Sequence, residues 1–172
     1  MVKIVPIEDI PAGEDVDLLD LDGIEEIYNQ LSLAAADYNY PLGISAVQLG
    51  IPKKMFLMRP QIVRYGLSMI GESAVDRCYH CILNATYLSC GDRTEVDSIE
   101  GCLSIPGKLY KVRRFANIKA TGHLYTINPQ TYKMELFPFS HVVTNAYISV
   151  VMQHEIDHGH NILVSELGDE VV

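Results

Sequence analysis

Near the C-terminal end of the chain, Gln153-His154-Glu155-Ile156-Asp157-His158 combines residue types that can do metal chemistry. Two histidines four positions apart on a helix differ by about 40° of rotation, so both rings leave one face and can share an ion. Glu155, beside the first of them, can reach a water activated by that ion and shuttle its proton. His-Glu-x-x-His fixes only three positions and turns up by chance in roughly one chain in fifty of this length. The competing reading is a helix end with solvated histidines, so the pair needs support from elsewhere.

A catalytic ion usually takes three protein ligands and leaves a position for water. His160 follows the pair by two residues and points away from it on a helix, while Glu166 and Glu170 leave little chain to fold back. Cys102 is the better third ligand, since it lies between Gly101 and Leu103 in a short segment where the backbone can come close to an ion. A thiolate makes the site softer and admits iron(II), zinc, nickel or cobalt. A separate four-cysteine zinc site from Cys78, Cys81, Cys90 and Cys102 is disfavoured, because Cys78 to Leu83 reads as a strand and turns residues three apart to opposite faces.

The elements that must carry these residues can be read in outline. Val143, Tyr147, Val150, Val151, His154 and His158 form one helical stripe, which predicts a final helix capped at Ser140 and ending at His158 with Gly159 as a left-handed cap. A first helix is expected from Asp17 to about Asn39, its apolar stripe running through Leu18, Leu21, Ile24, Ile27, Leu31, Ala34 and Ala35. Tyr40-Pro41-Leu42-Gly43 stops it, and Gly43 to Gly50 reads as a loop with one amide, Gln48, in its middle. Strands are expected at Lys54 to Arg59, Tyr79 to Leu83, Thr86 to Cys90, Arg114 to Thr126 and Tyr132 to Phe137, with turns at Gly91-Asp92 and Asn128-Pro129-Gln130. Residues 60–77 read as an irregular excursion. The fold class expected is α+β, one domain over 1–172, with antiparallel strands around a central metal-binding helix.

Composition narrows the setting. Apolar residues make up 48% and charged residues 20% of the 172, ordinary values for a globular chain. A net charge of -9 argues against nucleic-acid binding, and the basic run Lys108, Lys111, Arg113, Arg114 reads as a solvated strand edge. With Glu8 and Asp9 close to the start and no long apolar run, neither a signal peptide nor a membrane span is expected, and the cytoplasm is the expected compartment.

Three segments taken in order resemble the peptide deformylases, which remove the formyl group from the N-terminal methionine of new proteins. Gly43-Ile44-Ser45-Ala46-Val47-Gln48-Leu49-Gly50 is similar to the family's first motif. Glu100-Gly101-Cys102-Leu103-Ser104 matches the second throughout, and Gln153 to His158 the core of the third. The resemblance implies that Cys102, His154 and His158 hold iron(II), replaceable by nickel, cobalt or zinc. It implies Glu155 as the proton shuttle, with the Gln48 amide and the Leu103 backbone N–H holding the oxyanion. Gly43 and Ile44 would pair with the peptide backbone and Gly101 would lie beside it. Tyr147, Val150 and Val151 would line the methionine pocket, while Glu100 and Arg114 would support the ligands. The implied partner is an N-formylmethionyl nascent peptide, met as a monomer, with ribosome contact open.

There are departures. Pro41 stands where the family has the first glycine of its opening motif. Ser45 and Val47 replace the usual alanine and proline. Gly159 and Asn161 stand for leucine and glycine, and the stretch after His158 is short, as in trimmed bacteriophage forms, which allows for a bacterial or a host cytoplasm. Two rivals follow: a zinc metalloprotease, and a relative that binds peptides without hydrolysing them.

Overall fold

Met55-Phe56-Leu57-Met58 has no polar side chain, and the computed structural model, which describes residues 2–59 and 79–171, shows why. These residues form strand β2 (Met55–Met58), buried on both faces. Met55 and Leu57 pack with Ile24, Leu31 and Ala34 of helix α1 (Leu21–Asp37). Phe56 and Met58 pack with Ile148, Met152 and Ile156 of helix α2 (Ala146–Gly159). The alternation of a strand thus feeds two apolar layers at once.

Around β2 the chain builds an antiparallel five-stranded sheet with β1 (Gly43–Ser45), β3 (His80–Ser89), β6 (Ile118–Ile127) and β7 (Met134–Val143), in the order β1-β2-β3-β6-β7. A second, three-stranded sheet runs β4-β5-β8, from β4 (Glu95–Cys102), β5 (Ile105–Phe115) and β8 (Gly168–Glu170). The short helix α3 (Val164–Leu167) precedes β8 and sets Val164 against Cys102, Tyr110 and Val112. The architecture is α+β. Among the described residues no helix is long and apolar enough to cross a membrane.

Several expectations change. Gly43 to Gly50 is not a loop: it is β1 followed by a 3-10 turn (Ala46–Leu49), because β1 pairs with β2 and the Gln48 side chain ties back to the Ser45 N–H. The two strands expected on either side of Asn84 are one strand with a bulge, where Asn84 (φ 51°) turns its amide to both backbone groups of Val16. The strand expected from Arg114 to Thr126 breaks between Phe115 and Ile118. Ser140 does not cap α2. It lies in β7, whose ten-residue pairing with β6 reaches Val143, and Asn145 caps the helix by accepting from the Ile148 N–H. Gly159 remains helical, and the left-handed residue is Asn161 (φ 56°). Leu21 is exposed at the start of α1, since Asp20 caps the helix there and turns it outward. Cys78 and the excursion at 60–77 lie outside the described residues.

Candidate metal centre

α2 stands between the sheets and presents one polar face to the end of β4. His154 and His158 bring their Nε2 atoms to 3.2 Å of each other, and His158 Nε2 lies 3.4 Å from Cys102 Sγ. The three ligand atoms all lie within 4.8 Å of one another. An ion held tetrahedrally at about 2.3 Å from sulfur and about 2.0 Å from nitrogen needs about 3.5 Å between S and N and about 3.3 Å between nitrogens. Two edges of the triangle therefore already match an ion's requirement, and the soft thiolate-imidazole donor set suits one. Among the described residues this is the one such cluster. Cys81 is buried in the core against α1 and Cys90 lies at the far end of β3.

Two of the three ligands are held by a side chain behind them, while the buried His158 Nδ1 has no partner among the described residues. Glu100, one turn of strand before Cys102, takes His154 Nδ1 at 2.8 Å. Its carboxyl is buried, which alone would raise its pKa, but the hydrogen bonds and charges of Arg114 and His154 outweigh this and pull it down to about 2. An ionised carboxylate can only accept, so Nδ1 carries the proton and Nε2 turns toward Cys102. Burial also works against charge on His154, but Cys102, Glu100 and Glu155 together push it up to about 10. Gln48 comes from the 3-10 turn. Its Oε1 accepts from the Ser45 N–H at 2.9 Å, which aims its Nε2 at Cys102 Sγ, 3.4 Å away.

Arg114 anchors the deeper shell. It is 3% exposed, donates twice to Glu100 at 2.9 Å and also donates to Asp157. The basic run of β5 is therefore a solvated edge only for Lys108, Lys111 and Arg113, which pair with Glu170, Asp97 and Glu95. Asp157 accepts from the Tyr87 hydroxyl at 2.9 Å. Gln153 fastens α2 to the end of β5 through both backbone groups of Phe115. Sequence reasoning missed Asp157, Tyr87 and Gln153. For Gln153 and Asp157 the available signal was a polar residue beside each of the paired histidines on a largely apolar helix, whereas nothing local marked Tyr87 on β3.

Glu155 faces a cavity of about 1050 Å³. A Cβ on Gly43 would stand 2.4 Å from its Oε1, so only glycine lets β1 pass this close. Its Oε2 has no partner among the described residues, and burial, reinforced by Glu100 and offset by His154, raises its pKa to about 7. Gly43, Gln48, Gly101, Leu103, Tyr147, Val150 and Val151 all line the same cavity. Leu103 sits in the two-residue turn between Cys102 and Ile105. Val151 also belongs to the core, and Tyr147 is 57% exposed. Ile44 does not line the cavity: its side chain is buried toward α1 and its backbone pairs with Leu57 of β2, so the backbone groups on the outer edge of β1 are those of Gly43.

The chain is similar to a set of known proteins along most of its length. A model of the polypeptide deformylase family matches residues 12–169. Peptide deformylase 2 of Coxiella burnetii is 29% identical over 116 residues, 67% of this chain and 51% of that protein, so the chain spans about half of that relative's length. The peptide deformylase of a Wolbachia from Brugia malayi is 28% identical over 143 residues, 83% of this chain and 72% of that protein. Among solved structures, a probable peptide deformylase from a Synechococcus phage superposes with a TM-score of 0.68 at 24% identity, covering 97% of this chain and 99% of that one. The Ehrlichia chaffeensis peptide deformylase in complex with actinonin gives 0.70 at 22%, covering 98% and 89%. With the matched residues running through all three motifs and the ligand cluster they build, the chain belongs to the polypeptide deformylase family.

Proposed function

We propose that the chain is a metal-dependent hydrolase that removes the formyl group from N-formylmethionyl peptides and releases formate. The observation carrying this reading is the buried triangle of Cys102, His154 and His158 with Glu155 beside it at the cavity. Those three residues would hold iron(II), for which nickel, cobalt or zinc can substitute. When bound, the ion supplies Lewis acidity, lowering the pKa of water and stabilising negative charge on the formyl oxygen.

The chain's own residues do the rest. Glu155 takes the proton of the attacking water and gives it to the leaving amine nitrogen as the carbon–nitrogen bond breaks. Its raised pKa, near 7, suits a group that must both accept and donate. On this reading the Gln48 Nε2–H and the Leu103 N–H, both at the cavity, donate to the oxygen on which charge develops. The open edge of β1 at Gly43 offers backbone pairing to an extended peptide, with Gly101 on the other side of the cavity. Tyr147, Val150 and Val151 give the methionine side chain an apolar wall. The natural substrate on this reading is a nascent chain, processed in the cytoplasm by a monomer made of one catalytic domain. The test is formate release from a formyl-Met tripeptide: metal-loaded protein should release it and chelated protein should not, while folded, metal-bearing protein that releases none would fit a peptide-binding relative instead.

A further inference from the structure

Immediately before β1 the chain turns a corner at Asn39-Tyr40-Pro41-Leu42. Asn39 and Tyr40 both have positive φ, 57° and 55°, a pair that L side chains adopt only when their surroundings hold them there. Asparagine tolerates this region, but a tyrosine does not choose it. On one side the corner is held by the end of α1, where the Tyr40 N–H donates to the Ala35 carbonyl at 2.7 Å and the Asn39 N–H to the Ala36 carbonyl at 3.3 Å; on the other side its carbonyls are held by two residues far away in the chain. The Tyr79 hydroxyl donates to the Pro41 carbonyl at 2.7 Å, and Arg59 Nε donates to the same oxygen at 3.2 Å. Arg59 Nη2 donates to the Tyr40 carbonyl, and the Arg59 N–H takes the Leu42 carbonyl at 3.0 Å. The Tyr40 and Tyr79 rings stack with centroids 6.4 Å apart and planes inclined by 21°.

Three consecutive carbonyls are thus gripped, and the grip ends where the cavity begins. Pro41, Leu42 and Gly43 line it, and Gly43 is the residue that passes within touching distance of Glu155. A shift of this corner would move the open edge of β1 relative to Glu155, while Cys102, His154 and His158 sit on other elements. Pro41 removes one backbone donor and leaves carbonyls as the groups to be held.

We infer that Arg59 and Tyr79 are positioning residues for the peptide-binding edge, gripping the Tyr40–Leu42 carbonyls so that β1 meets the substrate in register with Glu155. This rests on the deformylase reading for its substrate, though not for the grip itself.

The test uses the full, metal-loaded chain with Tyr79→Phe, which keeps the stacked ring and removes the hydroxyl, and with Arg59→Met and Arg59→Lys. A formyl-Met tripeptide is the substrate, and amide hydrogen exchange at Ile44 and Arg59, whose N–H groups bond across β1 and β2, is read alongside. Loss of one such hydrogen bond predicts about a fivefold rise in KM for Tyr79→Phe, with kcat within about twofold and metal content unchanged. Arg59→Met should raise KM further, with partial rescue in Arg59→Lys, and both amides should exchange faster while those of α2 do not. Unchanged KM and unchanged exchange would overturn the inference, as would a parallel fall of kcat and metal content. Should the wild-type protein release no formate, the deformylase reading falls, and the exchange rates alone decide whether the grip sets the edge.

Discussion

Glu155 combines burial, an unpartnered oxygen and a pKa near 7, whereas Glu100, also buried, is held ionised by Arg114 and His154. Their substitutions should therefore separate. Glu155→Gln leaves the three ligands intact and should retain metal while turnover falls by about 10²- to 10⁴-fold, measured as metal content and formate release. Cys102→Ala removes the sulfur from the triangle and should lose metal at concentrations that saturate the wild type. Glu100 also predicts a pH dependence of stability. Its folded pKa, about 2, lies below the ordinary 4.5, so its contribution is complete above 4.5 and is lost as pH falls toward 2. The melting temperature of metal-free protein should drop across that window. Glu100→Gln, already destabilised because it leaves the buried Arg114 underpaired, should show a shallower drop.

At the level of elements, what could be read in advance depended on how local the cause was. The stripe of α2 and the Glu100-Gly101-Cys102-Leu103-Ser104 turn are written in neighbouring residues, and the structure builds a helix and a strand-turn-strand there. The start of α2 is different. Ser140 is a good cap by type, yet pairing along all of β7 keeps it in a strand and passes the role to Asn145. β1 was missed because three residues carry no periodicity, and its order comes from β2 and from Gln48. Charge pattern alone left Arg114 as one more cation of a solvated edge, and only the family resemblance pointed to it as a support for the ligands, since nothing local shows that Glu100 and Asp157 converge on it from two other elements. Asn145→Ala should cost about 0.5–2 kcal/mol in denaturant unfolding, with the ligand triangle unaffected. Ser140→Ala, whose side chain caps nothing, should lie within about 0.5 kcal/mol of the wild type.

Across the whole molecule, the site draws on three parts that buried hydrogen bonds such as Gln153 with Phe115 and Tyr87 with Asp157 already tie together. Gly43 belongs to the five-stranded sheet and Gln48 to the 3-10 turn that follows its β1, Glu100 and Cys102 to the three-stranded sheet, and the histidines and Glu155 to the helix between them. An ion bound there ties β4 to α2, so loading should stabilise the fold as a unit, by about 4 kcal/mol when metal stands a thousandfold above its Kd. The gain should appear as a higher melting temperature that a chelator reverses and that Cys102→Ala lacks. The measurement bearing most directly on the central claim is formate release from a formyl-Met tripeptide by protein loaded anaerobically with iron(II) or with nickel. Release that stops on chelation and returns on reloading is the predicted result. Folded protein that binds the metal yet releases no formate from that peptide would contradict the account.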